Sequence, residues 1–264
     1  MIDTFLIDSH CHLDLLEEKG LNVKELVDSA KAKNVKYIQT ICTKITEFEK
    51  IYSYAEKFDN VFASIGIHPC NVHLEPKIDV EKTIKICTQK SKLIGIGETG
   101  LDYFHDDSTK SDQIESFLRH IEVARNTGLV LIIHSRDADQ DMADILKKEM
   151  KKGEFKALMH CFSSSETLAQ KALELDIYIS ISGIVTFKNA IDLQNIVKNI
   201  PKEKILVETD APYLAPTPYR GKINKPEFTL ETAKFIANLK GIDEEEFFRI
   251  TTDNFCKLFN KVTL

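Results

Sequence analysis

No excess of positive charge marks this chain: 35 lysines and arginines are outweighed by 41 aspartates and glutamates, a formal net charge of −6 over 264 residues. That balance argues against a protein that coats duplex DNA electrostatically. It leaves room for a nucleic-acid enzyme that grips a few phosphates through metal ions. No apolar run approaches the roughly 20 residues of a membrane span, and Met1 to Leu6 has no basic segment leading into a long apolar one. A soluble, cytoplasmic protein with no membrane partner is therefore expected. The six cysteines, at 11, 42, 70, 87, 161 and 256, form no Cys-x-x-Cys pair, and four lie inside apolar runs or beside histidines. Buried thiols are expected from them rather than disulfides. No linker or low-complexity stretch divides the chain, so one domain over 1–264 is expected, and no obligate protein partner is evident.

Apolar runs and amphipathic segments alternate along the whole length. The first run, Phe5-Leu6-Ile7, suits a buried strand, and residues 22–33 carry apolar positions 23, 26, 27 and 30 at helical spacing. Strands are predicted at 37–42, 61–67, 93–97, 129–133, 156–159, 177–181 and 205–208. Helices are predicted at 46–58, 77–89, 111–127, 139–152, 165–175 and 190–199, then at 227–240 and 243–260. Eight strands with seven helices between them imply a parallel sheet closed into an α/β, (β/α)8 TIM barrel. At 43% hydrophobic, the chain matches the roughly 250 residues typical of that fold.

Such a barrel carries its chemistry at the C-terminal ends of its strands. His10 and His12 follow the first run, two apart, so an extended backbone presents both to one cation. Other predicted strands end at His68, Glu98, His134, His160 and Asp210. A lone histidine at a strand end more often braces a loop. Four histidines (His10, His12, His134, His160) and two carboxylates (Glu98, Asp210) at one mouth are what two divalent cations sharing a carboxylate need.

The segments Asp8-Ser9-His10-Cys11-His12-Leu13-Asp14, Ile65-Gly66-Ile67-His68-Pro69, Gly95-Ile96-Gly97-Glu98-Thr99-Gly100-Leu101-Asp102, His134-Ser135-Arg136, Met159-His160-Cys161-Phe162-Ser163 and Glu208-Thr209-Asp210-Ala211-Pro212-Tyr213-Leu214 together resemble the TatD family of metal-dependent deoxyribonucleases, over essentially the whole chain. The resemblance implies a binuclear centre. His10, His12, Glu98 and Asp210 would hold one cation, and Glu98, His134 and His160 the other, with Glu98 bridging. Magnesium, manganese, zinc, cobalt and nickel are all candidates. Ser164 and Cys70 depart from the family's usual pattern without touching a proposed ligand.

Asp210 is the expected general base. His68, not needed as a ligand, is expected to contact a phosphate oxygen or protonate a leaving oxygen, the alternative being a loop brace. Of only five arginines, Arg136 and Arg220 fall on mouth loops, and a guanidinium fork suits phosphate. Tyr219 beside Arg220 offers a ring for stacking a base. Asp102 is expected to orient a histidine, coordinate weakly or cap a turn, and His73, His105 and His120 to be surface or loop residues. Two function classes follow. One is an exonuclease acting on the ends of DNA or oligonucleotides, single-stranded DNA favoured. The other is a hydrolase of a small amide, lactone or ester on the same scaffold. Cations at the mouth favour the first.

Overall fold

The computed structural model describes residues 4–105 and 107–262; Met1 to Asp3, part of the stretch searched for a leader, lie outside them. Eight strands are present: β1 (Leu6–Cys11), β2 (Val35–Thr40), β3 (Val61–Ile65), β4 (Leu93–Asp102), β5 (Val130–Arg136), β6 (Ala157–Met159), β7 (Tyr178–Ile181) and β8 (Ile205–Val207). They form one parallel sheet in chain order. The sheet comes round on itself where the Asp210 N–H donates to the His10 carbonyl and the His12 N–H to the Ala211 carbonyl, both at 2.9 Å. This is the (β/α)8 barrel that the alternation predicts.

Helices cover the outside. α1 (Leu13–Glu18) and α2 (Val23–Ala32) follow β1, and α3 (Phe48–Lys57) follows β2. α4 (Val80–Gln89), α5 (Lys110–Thr127), α6 (Asp139–Lys152), α7 (Glu166–Glu174) and α8 (Ile191–Asn199) follow β3 to β7 in turn, and α9 (Thr229–Lys240) and α10 (Glu244–Leu258) come after β8. α2 shows the logic: Val23, Leu26, Val27 and Ala30 are buried, and Asn22 Oδ1 accepts from the Lys24 and Glu25 N–H groups at 2.9 and 3.3 Å.

The departures from expectation have local causes. α1 spans less than two turns, too short to show a periodic signal. The third predicted helix starts at Val80 rather than residue 77, because Asp79 caps it through the Lys82 N–H at 3.0 Å. β4 runs five residues past its predicted end, since a register shift after Ile96 lets Thr99 to Asp102 pair with Ile133 to Arg136.

Two apolar clusters divide the interior. One lies between barrel and helices, with Leu6, Val35, Ile38, Ile96, Leu131 and Ile133 among its strand residues. The other takes the alternate strand positions Ile7, Phe62, Ile94, Val130, Leu158, Tyr178 and Leu206, against which Phe255, Leu258 and Phe259 of the α10 region pack. The N-terminal end of the barrel is thus plugged with hydrocarbon, and polar side chains collect at the other end. Among the described residues, no helix is long and apolar enough to cross a membrane.

His120 corrects one expectation. It is fully buried on α5 rather than on the surface: its Nε2 accepts from the Ile67 N–H at 3.1 Å and its Nδ1 lies 2.7 Å from the Ser116 carbonyl. Burial pushes the imidazole down from 6.5 to about 4. Between those values the unfolded chain binds the proton and the folded chain does not, so stability falls as pH drops through this window. The loss of stability between pH 7 and pH 5 should be smaller in His120→Gln than in wild type by roughly 2 kcal/mol, measured by urea denaturation. Equal losses in the two proteins would show that His120 titrates normally.

Candidate metal centre

Glu98 reaches the barrel axis because β4 is thinned on either side of it. Gly97 (φ +138°) and Gly100 (φ +143°) press against β5, where a Cβ on Gly97 would stand 2.6 Å from the Ile132 carbonyl oxygen and one on Gly100 would fall on that of His134. Across the mouth, Asp8 ties β1 to the end of β8: its carboxylate accepts from the Thr209 N–H and hydroxyl at 2.8 and 2.6 Å. Burial pushes Asp8 up to about 8. The next residue, Asp210, adopts φ +55° and is held by its N–H bond to the His10 carbonyl. His160 directly follows β6 and bonds through its N–H to the Ile133 carbonyl at 3.0 Å.

The two oxygens of Glu98 face two different groups of donors. Oε1 lies 2.6 Å from His160 Nε2, 3.0 Å from His134 Nδ1 and 3.4 Å from His68 Nε2. Oε2 lies 3.4 Å from His10 Nε2 and 4.0 Å from His12 Nε2. Asp210 Oδ1 completes the second group, at 3.2 Å from His12 Nε2 and 3.7 Å from His10 Nε2. His10, His12 and Glu98 form one set able to hold a cation, His10, His160 and Asp210 another, and His68, Glu98 and His134 a third. His68 therefore stands against Glu98 and His134, although it was not among the residues expected as ligands.

The chemistry of the site fits divalent cations. Both ring nitrogens of His10, and Nδ1 of His12 and of His160, are buried without a hydrogen-bond partner, which is costly unless something binds them. The His10 and His160 rings stack at 3.8 Å, 7° from parallel, an arrangement that two imidazolium ions would resist. Burial, with His160 nearby, pushes His10 down. Burial opposes a charge on Glu98, yet the imidazoles of His160 and His68, then those of His10 and His134, hold it well below the usual range. Burial also opposes a charge on His12, but Asp210 and Glu98 outweigh it and lift the imidazole to about 9.

His12, His68, Glu98, His134, His160 and Asp210 line a cavity of about 530 Å³, with His10 buried behind them, and Asp102, His105, Arg136, Cys161 and Tyr213 border it too. Of the three residues expected to hold substrate, Arg136 lines it, with its guanidinium 4.0 Å above the Phe104 ring. Arg220 and Tyr219 are not among its lining residues: Arg220 lies over Phe187 at 3.5 Å, and Tyr219 stacks on Phe228 at 3.9 Å. Tyr213, from the same segment, is the ring presented to the cavity and stands edge-on to His12 at 6.5 Å. Asp102 both orients and caps: Oδ2 meets His134 Nε2 at 3.1 Å and His105 Nδ1 at 2.8 Å, while Oδ1 accepts from the Phe104 and His105 N–H groups.

Sequence reasoning gave Glu208 no role. It is fully buried, accepts from the Cys161 N–H at 2.7 Å and lies 3.5 Å from His160 Nδ1, so its charge backs the ring on the side away from Glu98. Its spacing of two from Asp210 was the available signal.

A family model described as TatD related DNase matches residues 7–260. The metal-dependent hydrolase YcfH of Escherichia coli (strain K12) is 41% identical over 258 residues, covering 97% of this chain and 96% of YcfH. YabD of Bacillus subtilis, also described as a metal-dependent hydrolase, is 37% identical over 254 residues, covering 96% and 98%. Among solved structures, YjjV, a TatD homolog from Escherichia coli, matches with a TM-score of 0.90 at 25% identity, covering 98% of this chain and 99% of that one. Organophosphorus hydrolase from Deinococcus radiodurans, at 11% identity and a TM-score of 0.68, shares the fold.

Because Glu98 lies between both donor groups, Glu98→Ala should lose most of the divalent metal bound by wild type. Elemental analysis of the folded variant checks this. Full stoichiometry would show that Glu98 bridges nothing.

Proposed function

This chain belongs to the TatD-related DNase family of metal-dependent hydrolases, and on that footing we propose that it is an exonuclease that hydrolyses phosphodiester bonds at DNA ends, single strands favoured. The observation that carries the reading is the division of donors between the two oxygens of Glu98. One cation would take His10, His12, Asp210 and Glu98, and the other Glu98, His134 and His160, while His68 stands beside Glu98 without serving as a ligand. When bound, the cations lower the pKa of water and neutralise charge on the phosphate oxygens.

The residues of the chain supply the rest. Asp210 borders the cavity with Oδ1 turned to His12 and His10, and its carboxylate takes the proton from the attacking water. Burial opposes its charge, but the His12 hydrogen bond and neighbouring imidazoles hold it below the ordinary carboxylate value, so it is ionised and ready to accept. His68 Nδ1 accepts from the Cys70 N–H at 3.1 Å, which leaves Nε2 as the donor, and burial pushes the ring down to about 3. A neutral His68 acts by donating a hydrogen bond to a substrate oxygen rather than as an acid. Arg136, exposed at the rim, holds a phosphate of the strand. Six cysteines without a disulfide among the described residues accord with a cytoplasmic setting.

The reading is tested with end-labelled single-stranded DNA, duplex DNA and RNA, each under magnesium, manganese, zinc, cobalt and nickel, and with a neutral ester alongside. Stepwise shortening of the single-stranded DNA is expected. An intact oligonucleotide under every metal, with rapid cleavage of the ester, would refute it. Asp210→Asn keeps the shape and removes the base, so turnover should fall at least ~10²-fold while oligonucleotide binding persists. Unchanged turnover would remove Asp210 from that role. Arg136→Ala should lose roughly 1.5 to 3 kcal/mol of binding to the oligonucleotide and nothing on the ester. The loss should shrink as salt rises, because phosphate contacts depend on counterion release. Arg220→Ala, away from the cavity lining, should lose less than Arg136→Ala in the same assay.

A further inference from the structure

Asp102 stands between the main centre and a separate group of donors. Ligand atoms of Cys70, Asp102 and His105 all lie within 4.8 Å of one another. They come from three segments: Cys70 from the 3-10 turn Pro69–Asn71 after β3, Asp102 from the end of β4, and His105 from the loop beyond. Asp102 is fully buried, Cys70 is half-buried, and His105, about half exposed, lines the mouth cavity, so the group is open to solvent on one side.

A thiolate, an imidazole and a carboxylate are a zinc-type donor set, and none of the donors assigned to the main centre is a thiolate. Zinc bonds of about 2.0 to 2.3 Å place neighbouring tetrahedral donors roughly 3.3 to 3.8 Å apart, so the group needs an adjustment of only ~1 Å. The Asp102–His105 contact alone would account for a turn. Cys70 brings a thiol to that pair, and it sits where the chain departs from the usual family pattern.

We propose that Cys70, Asp102 and His105 form a third cation site, selective for zinc-type metals, on the wall of the mouth and coupled to the main centre through Asp102. Zinc takes the place of the proton between Asp102 Oδ2 and His105 Nδ1, the neutral imidazole then carrying its one proton on Nε2, and the thiol proton of Cys70 passes to solvent. Oδ2 also meets His134 Nε2 at 3.1 Å, so a cation there competes for the carboxylate that orients His134. Three protein donors leave a fourth position open, and the ion is exchangeable.

The probe is cobalt(II), added to metal-free protein. A near-ultraviolet thiolate-to-cobalt charge-transfer band is expected in wild type and in Cys161→Ala, whose thiol borders the same cavity, and its loss is expected in Cys70→Ala and His105→Ala. Zinc content should be one equivalent lower in folded Cys70→Ala than in wild type. A band that survives in Cys70→Ala, or equal zinc in the two proteins, would overturn the proposal. Because the readout is a difference between variants, it stands apart from what the enzyme cleaves. If Cys70→Ala misfolds, Cys70→Ser and His105→Asn give the same comparison.

Discussion

A carboxylate in a barrel interior, away from water, is expensive unless something of opposite charge meets it. Glu98 is 3% exposed, and five imidazoles stand within 4.0 Å of its two oxygens. Much of the upper barrel follows from keeping that cluster in place. The glycines on either side of Glu98 let β4 approach β5, so that the side chain arrives beside His134. Behind the imidazoles lies a second ring of carboxylates. Asp102 faces the far nitrogen of His134, Glu208 faces that of His160, and Asp8 clamps the segment that carries Asp210. Imidazoles held in this way are fixed in orientation before a cation binds, which lowers the ordering cost of binding.

The opposite end of the barrel has the reverse character. Aromatic and aliphatic side chains from seven strands meet Phe255, Leu258 and Phe259, and hydrocarbon burial there stabilises the fold with no contribution from the metal donors. This separation lets the mouth carry buried polar atoms without partners, such as both nitrogens of His10, while the lower barrel remains packed. It also explains why changes at the mouth are expected to alter metal content and turnover more than folding.

Substrate contacts were the least accessible to sequence reasoning. Tyr219 and Arg220 were attractive because an aromatic ring and a cation sit together on a proline-rich stretch. In the fold each already has an aromatic partner, Phe228 and Phe187, and Tyr213, six residues before Tyr219, is the ring that borders the cavity. Nothing in the local pattern separates these two tyrosines. The same holds for His120, whose partner Ile67 lies 53 residues away.

The sequence by itself determined the barrel, through eight alternations of apolar run and amphipathic segment. It also determined which residues gather at the mouth, because in a parallel barrel every strand's C-terminal end faces the same way. That is a rule of chain direction, legible in one dimension. Only the tertiary structure decided which oxygen of Glu98 meets which histidine, that His68 stands against Glu98, that Glu208 backs His160, and that Cys70 comes within reach of Asp102 and His105. These depend on register shifts such as those after Asp8 and Ile96. A shift of one residue turns a strand's side chains to its other face, and its position depends on contacts with neighbouring strands that the local sequence pattern does not contain.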